Sequence, residues 1–400
     1  MPHDRSLDAL AKVCGDTRPG TADDAVQGVV PAVAAAPATV AEVSEVMRVA
    51  AEQGLAVVPR GAGTRLHWGV PPDRCDLLVD TRRLDRVIEH AAGDLVVKVE
   101  AGLPVGRLAE TLAPAGQRLA LDTPLPASTV GGTLATAAAG PLRLRYGSPR
   151  DLLIGVTMVR ADGVVAKAGG KVVKNVAGYD LGKLLTGSYG TLGLIVEAAF
   201  RLHPQPRAWA YVTVEVPDGA HAHKAVQAVL HSTVVASAVE VDAPAGGPIT
   251  VGVLVEGIPA GVTALADQLV RLLGTGAAVA EEPPEWWGRS PVGETLIEFT
   301  TQPKELPHVL TTLAGTGVRA SAGNGVFHLA LPGDADPDEA SELLTALRSL
   351  GHAVVRSAPE ALRERLDVWG PVPALGLMRR VKDQFDPDHR LSPGRFAGGI

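Results

Sequence analysis

The feature that most constrains this chain is a set of three glycine clusters in its first half, each at the edge of an apolar run. They are Arg60-Gly61-Ala62-Gly63-Thr64, then Gly131-Gly132, then Gly187, Gly190 and Gly193. Glycine lets backbone approach a ligand closely and takes dihedrals closed to other residues. Closely placed N–H groups in such turns cradle phosphate. The first loop alone reads equally well as an ordinary strand-to-loop turn. Three such loops, with polar runs around them, point to a long diphosphate ligand lying across several turns.

Other phosphate-binding loops are excluded by their own chemistry. Gly61 and Gly63 start a dinucleotide-type pattern, but Leu66 stands where the third glycine belongs. The following His67-Trp68-Gly69-Val70-Pro71-Pro72 cannot open a helix promptly. Gly170-Lys171-Val172 and Gly182-Lys183-Leu184 lack the Ser or Thr that follows lysine in a nucleotide-triphosphate loop. Thr123 to Thr136 instead surrounds its diglycine with hydroxyls, including Ser128 and Thr129, which offer donors to an anionic or polyol ligand.

The 400 residues suit two domains, and 46% hydrophobic with 20% charged residues suits full cores. A net charge of -7 argues against nucleic acid as the main partner. Cys14 and Cys75 are too few for an iron–sulfur cluster or a structural zinc. Their scarcity fits a reducing compartment. The start of the chain lacks a signal-peptide core, and Gly28 to Val40 is too short and proline-broken to span a bilayer. The expected location is the cytoplasm, with peripheral contact to the inner membrane through a partner left open.

Four segments are expected: a mobile lead-in with one short helix over 1–27, a cofactor domain over 28–206, a smaller cap over 207–374, and a C-terminal helix and tail over 375–400 that return to the cofactor domain. Thr39 and Glu42 form a capping box for a helix buried through Val43, Met47 and Ala50. Leu153 to Arg160 and Val164 to Lys167 read as a hairpin. Prolines make His203-Pro204-Gln205-Pro206 the expected linker. Beyond it, strands and helices alternate in two rounds, the rhythm of an antiparallel sheet with helices on one face.

The order and spacing of Arg60-Gly61-Ala62-Gly63-Thr64, Gly131-Gly132, and Gly178-Tyr179-Asp180-Leu181 with Gly187-Ser188-Tyr189-Gly190-Thr191-Leu192-Gly193 closely resembles the FAD-binding domain of the vanillyl-alcohol oxidase/PCMH superfamily. The match runs from about Val29 to Pro206. The end of the chain, Leu377 to Pro387 followed by Leu391-Ser392-Pro393-Gly394-Arg395-Phe396, resembles the tail of flavin-linked D-2-hydroxyacid dehydrogenases, and the smaller FAD-binding subunit of bacterial glycolate oxidase (the GlcE type) in particular. The implied fold is α+β: a two-subdomain PCMH-type domain followed by a smaller ferredoxin-like cap with an antiparallel sheet.

By position, the resemblance implies that Pro59, Arg60, Gly61, Ala62, Gly63 and Thr64 wrap the FAD diphosphate. It also implies that Thr123, Ser128, Thr129, Gly131 and Gly132 line the cofactor, with Gly187, Gly190, Gly193 and Ile195 against it. Thr64 matches the position where relatives with covalent flavin carry histidine, so non-covalent FAD is implied; His67 is out of register. Metal-using relatives carry a His-x-Gly-Asp-Gly-Asn-x-His run in the cap. Here it reads Ser321-Ala322-Gly323-Asn324-Gly325-Val326-Phe327-His328, which has lost its first histidine and both polar positions, so no metal is expected.

Arg379 and Arg380 are candidate catalytic residues that pair a substrate carboxylate, or else a solvated helix face. Trp286-Trp287 reads either as cap core or as the wall of a flavin or partner surface. Lys171 and Lys174 meet phosphate or sit on a hairpin edge, and Tyr179 and Asp180 fix the loop that follows. The implied activity is oxidation of a small 2-hydroxyacid by hydride transfer to FAD. The implied partners are a larger FAD subunit and an iron–sulfur subunit. Two alternatives stand beside it: a non-catalytic FAD-binding or assembly subunit, and a stand-alone flavin dehydrogenase with another alcohol substrate.

Overall fold

The computed structural model of the protein describes residues 2–122, 125–170 and 180–400. Thr123, Lys171, Lys174 and Tyr179 therefore lie outside the described residues. The chain divides into two compact units: residues 1–138, 148–204 and 371–400, and residues 139–147 with 205–370.

The first unit holds two sheets. One is four-stranded, from β1 (Thr17–Pro19), β2 (Val33–Ala35), β3 (Val57–Arg60) and β4 (Leu77–Asp80), in the order β1-β2-β4-β3. β2, β4 and β3 run parallel, and β1 is antiparallel at the edge. The other is antiparallel and five-stranded. Its strands are β5 (Val87–Ala91), β6 (Val96–Glu100), β8 (Leu153–Val159), β9 (Val165–Gly169) and β10 (Leu194–Arg201), in the order β5-β6-β10-β8-β9. Between them in sequence, β7 (Gln117–Arg118) pairs with β11 (His203–Pro204).

Local chemistry places these elements. The helix Val40–Glu52 is capped by the Thr39 hydroxyl, which accepts from the Glu42 amide, while the Glu42 carboxylate accepts from the Ala38 amide. It buries Val43, Val46, Met47 and Ala50 against the four-stranded sheet. The hairpin β8–β9 turns at Ala161-Asp162-Gly163, and the Asp162 carboxylate accepts from the Val164 amide.

The lead-in carries the one short helix expected of it, but it is anchored to the core rather than mobile. Residues 1–27 supply the helix Pro2–Ala11 and the edge strand β1, and Leu10 and Cys14 are fully enclosed in the core under the sheet. Apolar side chains at helical spacing anchor the segment. Its Asp24, 1% exposed, carries the more consequential contacts.

Asp24 takes a bidentate contact from Arg18 at 2.6 and 2.8 Å and a hydrogen bond from the Thr21 amide. The Arg60 Nη2, at the end of β3, bridges Asp24 Oδ1 at 3.1 Å and Asp80 Oδ2 at 3.0 Å. Arg60 thus ties the lead-in to β4 and fixes where the first glycine loop begins.

The C-terminal segment also belongs to this unit. The Val57 amide donates to Arg390 O and the Ser392 amide to Val57 O, each at 2.8 Å, so the tail lies alongside β3. The helix Leu375–Phe385 turns Lys382 fully inward.

The second unit is one antiparallel sheet of eight strands: β12 (Ala208–Val216), β13 (Ala238–Ala243), β14 (Ile249–Gly257), β15 (Ala278–Ala280), β16 (Thr295–Thr300), β17 (Gly317–Ser321), β18 (Val326–Leu331) and β19 (His352–Ser357). Its order is β15-β12-β14-β13-β17-β18-β16-β19. Each half is a β-α-β-β-α-β round of ferredoxin-like type, and the halves join edge to edge through β13 and β17. Val212, Val214, Val251, Val253 and Val255 are buried in its core.

Residues 139–147, expected within the cofactor domain, pack with this second unit instead. Polar anchors explain it: Arg145 donates to Ser237 Oγ at 3.2 Å and the Tyr146 hydroxyl to Glu256 Oε2 at 3.3 Å.

The Asp24 cluster makes a pH prediction. Its hydrogen bonds, from Arg18 first, hold the Asp24 carboxyl well below the usual carboxylate range. A depressed acid pKa contributes stability that is present above the unfolded value, near pH 4, and lost as pH falls further. Asp24→Asn should be less stable at pH 7 by about 1–3 kcal/mol, because a charged hydrogen-bond partner of Arg18 and Arg60 is lost while Arg60 keeps Asp80. Its urea midpoint should also fall less steeply than that of the native protein below about pH 4.

Candidate functional site

The three glycine clusters come together in the first unit around an open cleft. The first loop supplies Pro59, Arg60, Gly61, Ala62, Gly63 and Thr64, and the second supplies Thr129, Gly131 and Gly132. Gly190, Gly193 and Ile195 come from the third.

The loops do different work. The amides of Gly61, Ala62, Gly63 and Thr64 donate to no backbone carbonyl among the described residues, although β3 has just ended beside them. Four successive donors left open at a cleft form an anion-binding nest. The second loop is closed on itself. The Gly131 amide donates to Ala101 O at 2.7 Å and the Gly132 amide to the Thr129 hydroxyl at 3.2 Å. Its glycines serve close packing: a Cβ on Gly61 would overlap Thr129 Oγ1, so the first loop rests directly on the second.

In the third loop, Gly190 takes φ +75° and its Cα sits against Pro59, where a Cβ would meet the proline ring at 2.6 Å. The first and third loops are thereby held in contact.

Two expected residues stand beside the cleft rather than in its lining. Ser128, 1% exposed, is bonded to the Thr64 hydroxyl at 3.0 Å and accepts from Arg65 at 2.9 Å. Gly187 sets the third turn, donating its amide to Leu134 O at 2.9 Å. Asp180 caps the short helix Leu181–Leu185.

Arg379 and Arg380 stand apart from this cleft. Both are exposed, neither lines the cleft, and Arg379 donates to Gly398 O at 3.2 Å. Arg380 lies on the side of the helix away from the inward Lys382, while Arg379, three residues before Lys382, turns its guanidinium toward the tail.

The sequence reading missed Arg65, Leu66, Thr81, Ala135, Ser188, Tyr189 and Arg395 as lining residues. Ser188, Tyr189 and Arg395 stand inside the quoted motifs, so their signal was present. Thr81 and Ala135 carried none. Ser188 is 5% exposed and its hydroxyl has no hydrogen-bond partner among the described residues. A buried hydroxyl at a cleft wall without a partner fits a ligand acceptor.

Arg395 is 4% exposed and donates to Leu66 O at 2.7 Å and Trp68 O at 2.9 Å, pinning the strand of loop that follows the nest. Burial draws its guanidinium down to about 10, still protonated at neutral pH. Among the described residues no Asp or Glu lines the cleft, while Arg60, Arg65 and Arg395 do. Asp24 and Asp80 occupy the Arg60 guanidinium, so Arg65 and Arg395 give the cleft its positive character. The open amides, the Ser188 hydroxyl and the cationic side chains of Arg65 and Arg395 form a donor set that fits a dianionic diphosphate.

In the second unit, His328 lies 3.4 Å from Glu298, which Arg356 contacts at 2.6 Å. Burial opposes ionisation of Glu298, but the Arg356 charge and the His328 hydrogen bond outweigh it and hold the carboxyl below its usual range. Ser321 donates to Glu240 at 2.7 Å. Among the described residues no group of three or more His, Cys, Asp or Glu side chains converges on a metal-sized point. Trp286 and Trp287 stack together at 5.5 Å, with Trp287 edge-on to Tyr211 at 5.0 Å, over Gly252 of the sheet.

Comparison with known proteins agrees with this geometry. Residues 31–169 match the family described as FAD binding domain. An uncharacterized FAD-linked oxidoreductase of Mycobacterium tuberculosis is 28% identical, over 92% of this chain and 91% of the relative. Glycolate oxidase subunit GlcE of Escherichia coli is 35% identical over 38% of this chain and 43% of its own length. The fold of p-cresol methylhydroxylase, solved with substrate bound, superposes with a TM-score of 0.76 at 15% identity, covering 98% of this chain and 96% of that one.

The orphan hydroxyl gives a test of the cleft. Ser188→Ala should weaken FAD binding about 5–10-fold, the worth of one hydrogen bond of about 1–1.5 kcal/mol. The melting temperature of the cofactor-free protein should not change, because the hydroxyl bonds to nothing among the described residues. Fluorescence titration with FAD and thermal unfolding read the two effects separately.

The chain carries a PCMH-type FAD-binding domain, takes FAD as its cofactor, and is similar to FAD-linked oxidoreductases that include glycolate oxidase subunits and a D-lactate dehydrogenase.

Proposed function

We propose that this protein is a subunit of a glycolate oxidase-type complex, oxidising a small 2-hydroxyacid to the 2-oxoacid with non-covalently held FAD. The observation that carries the reading is the run of open amides from Gly61 to Thr64 at a cleft free of lining carboxylates. The relationship to GlcE and to D-lactate dehydrogenase supports the substrate class.

Bound FAD supplies the two-electron acceptor for the substrate C–H bond. The chain's residues supply position and charge. The Gly61–Thr64 amides would hold the diphosphate, and Arg65 and Arg395 would offset its negative charge. The Ser188 hydroxyl would donate to an acceptor of the cofactor. Ile195, Leu66 and Tyr189 wall the cleft with apolar surface that excludes water. Thr64 offers no imidazole for a covalent flavin bond, and its hydroxyl is engaged with Ser128. His67 does not line the cleft.

A second reading, a flavin-binding subunit that supports a catalytic partner, is favoured by Ser321. Where metal-using relatives place a histidine, this chain places a serine already bonded to Glu240. By either reading the larger partner carries its own FAD and an iron–sulfur subunit takes electrons onward.

The test is the visible spectrum of the native protein under anaerobic conditions. Flavin absorbance that is released by acid or heat denaturation establishes non-covalent FAD. Bleaching on addition of glycolate or D-lactate to the chain alone supports the first reading. Bleaching only after a partner subunit is added supports the second. Flavin that stays with the denatured chain contradicts the non-covalent assignment, and a flavin that no 2-hydroxyacid reduces, with or without partner, contradicts the substrate class.

A further inference from the structure

Lys382 is fully enclosed, at 0% exposure, and none of the roles above uses it. Its ammonium makes three hydrogen bonds, to Thr191 O at 2.8 Å, Asp386 Oδ2 at 2.7 Å and Leu391 O at 2.9 Å. An ammonium has three donors, so its valence is filled. The partners are distant in sequence. Thr191 belongs to the third glycine loop, between Gly190 and Gly193. Leu391 is the tail residue whose neighbours pair with Val57 of β3, which runs into the first glycine loop. Asp386 closes the set by accepting from the Leu391 amide at 2.7 Å.

A buried charge is an expensive way to hold a tail, since apolar residues of similar volume often serve as well. What apolar residues cannot do is fix a carbonyl at a set distance. The lysine reaches across from one glycine loop to the strand that carries the other, and the Arg395 contacts to Leu66 O and Trp68 O extend the same clamp to the far end of the nest.

We propose that Lys382 is a positioning residue of the flavin site: its ammonium sets the spacing between the open amides of the first loop and the wall formed by the third. Binding of FAD and docking of the C-terminal segment are then one linked equilibrium. The inference rests on reading the cleft as the FAD site and adds a residue that touches no cofactor.

Two experiments test it, each with a readout that simple support of the fold does not move. The first uses the native full-length chain, stripped of FAD and then reloaded, followed by amide hydrogen exchange. Protection by FAD in 61–64 together with 386–395 is the expected result. Protection in 61–64 with the tail unchanged overturns the linkage and leaves the cleft assignment intact. No protection in 61–64 overturns the cleft assignment itself.

The second replaces the ion pair by apolar residues, Lys382→Met with Asp386→Leu, so that no lone charge is buried. The expected outcome is a folded protein whose FAD dissociation constant rises at least about tenfold, with an altered visible circular dichroism of the bound flavin. An unchanged affinity and an unchanged flavin signal overturn the proposal. If the double variant does not fold, the exchange experiment on the native chain decides alone.

Discussion

Four consecutive backbone donors without a backbone acceptor among the described residues are the constraint on which the first unit turns. Buried N–H groups are almost always paired; these four lie at an open cleft, Ala62 exposed and the other three half-buried. The amides of Gly61 to Thr64 are open because the chain leaves β3 at the point where Arg60 is caught between Asp24 and Asp80. The surrounding structure keeps them open. Thr129 lies under the loop, Pro59 lies against Gly190, and Arg395 holds the carbonyls beyond. An acceptor-rich ligand completes what the fold leaves incomplete, and the diphosphate of FAD is such a ligand.

This arrangement also explains why the ends of the chain matter. The lead-in contributes Asp24, and the tail contributes Lys382 and Arg395. Neither terminal segment is a large part of the core, yet each sends a charged side chain to one border of the nest. Asp24 is buried against the guanidinium groups of Arg18 and Arg60, and Lys382 and Arg395 are buried against carboxylate or carbonyl oxygen, which fixes geometry more than it adds net stability. In the second unit, by contrast, apolar valines fill the core under the sheet, and its polar pairs, Ser321 with Glu240, Arg319 with Asp242 and Arg356 with Glu298, run across adjacent strands.

Much of the fold was legible because its signals are local. The Thr39–Glu42 cap, the Ala161-Asp162-Gly163 turn and the two rounds of strands and helices each announce themselves within a dozen residues. The glycine clusters were legible for the same reason, since positive φ and close contact leave few alternatives to glycine. What glycine spacing does not reveal is which amides stay open. Gly131 and Gly132 read like a second cradle, but Ala101 O and the Thr129 hydroxyl take their amides, a pairing visible only in three dimensions. Arg379 and Arg380 drew attention as adjacent cations, while the residue that faces inward, Lys382, lies on a phase that sequence alone leaves ambiguous. Thr81 and Ala135 reach the cleft purely through tertiary packing.

The account's central claim is that the nest from Gly61 to Thr64 meets the phosphates of FAD. It is tested most directly by following the backbone amide resonances of those four residues in the cofactor-free protein during titration with FAD, and separately with riboflavin, which lacks the diphosphate. Large shifts at all four with FAD and little movement with riboflavin are predicted. Amides that stay in place while FAD binds would contradict the account.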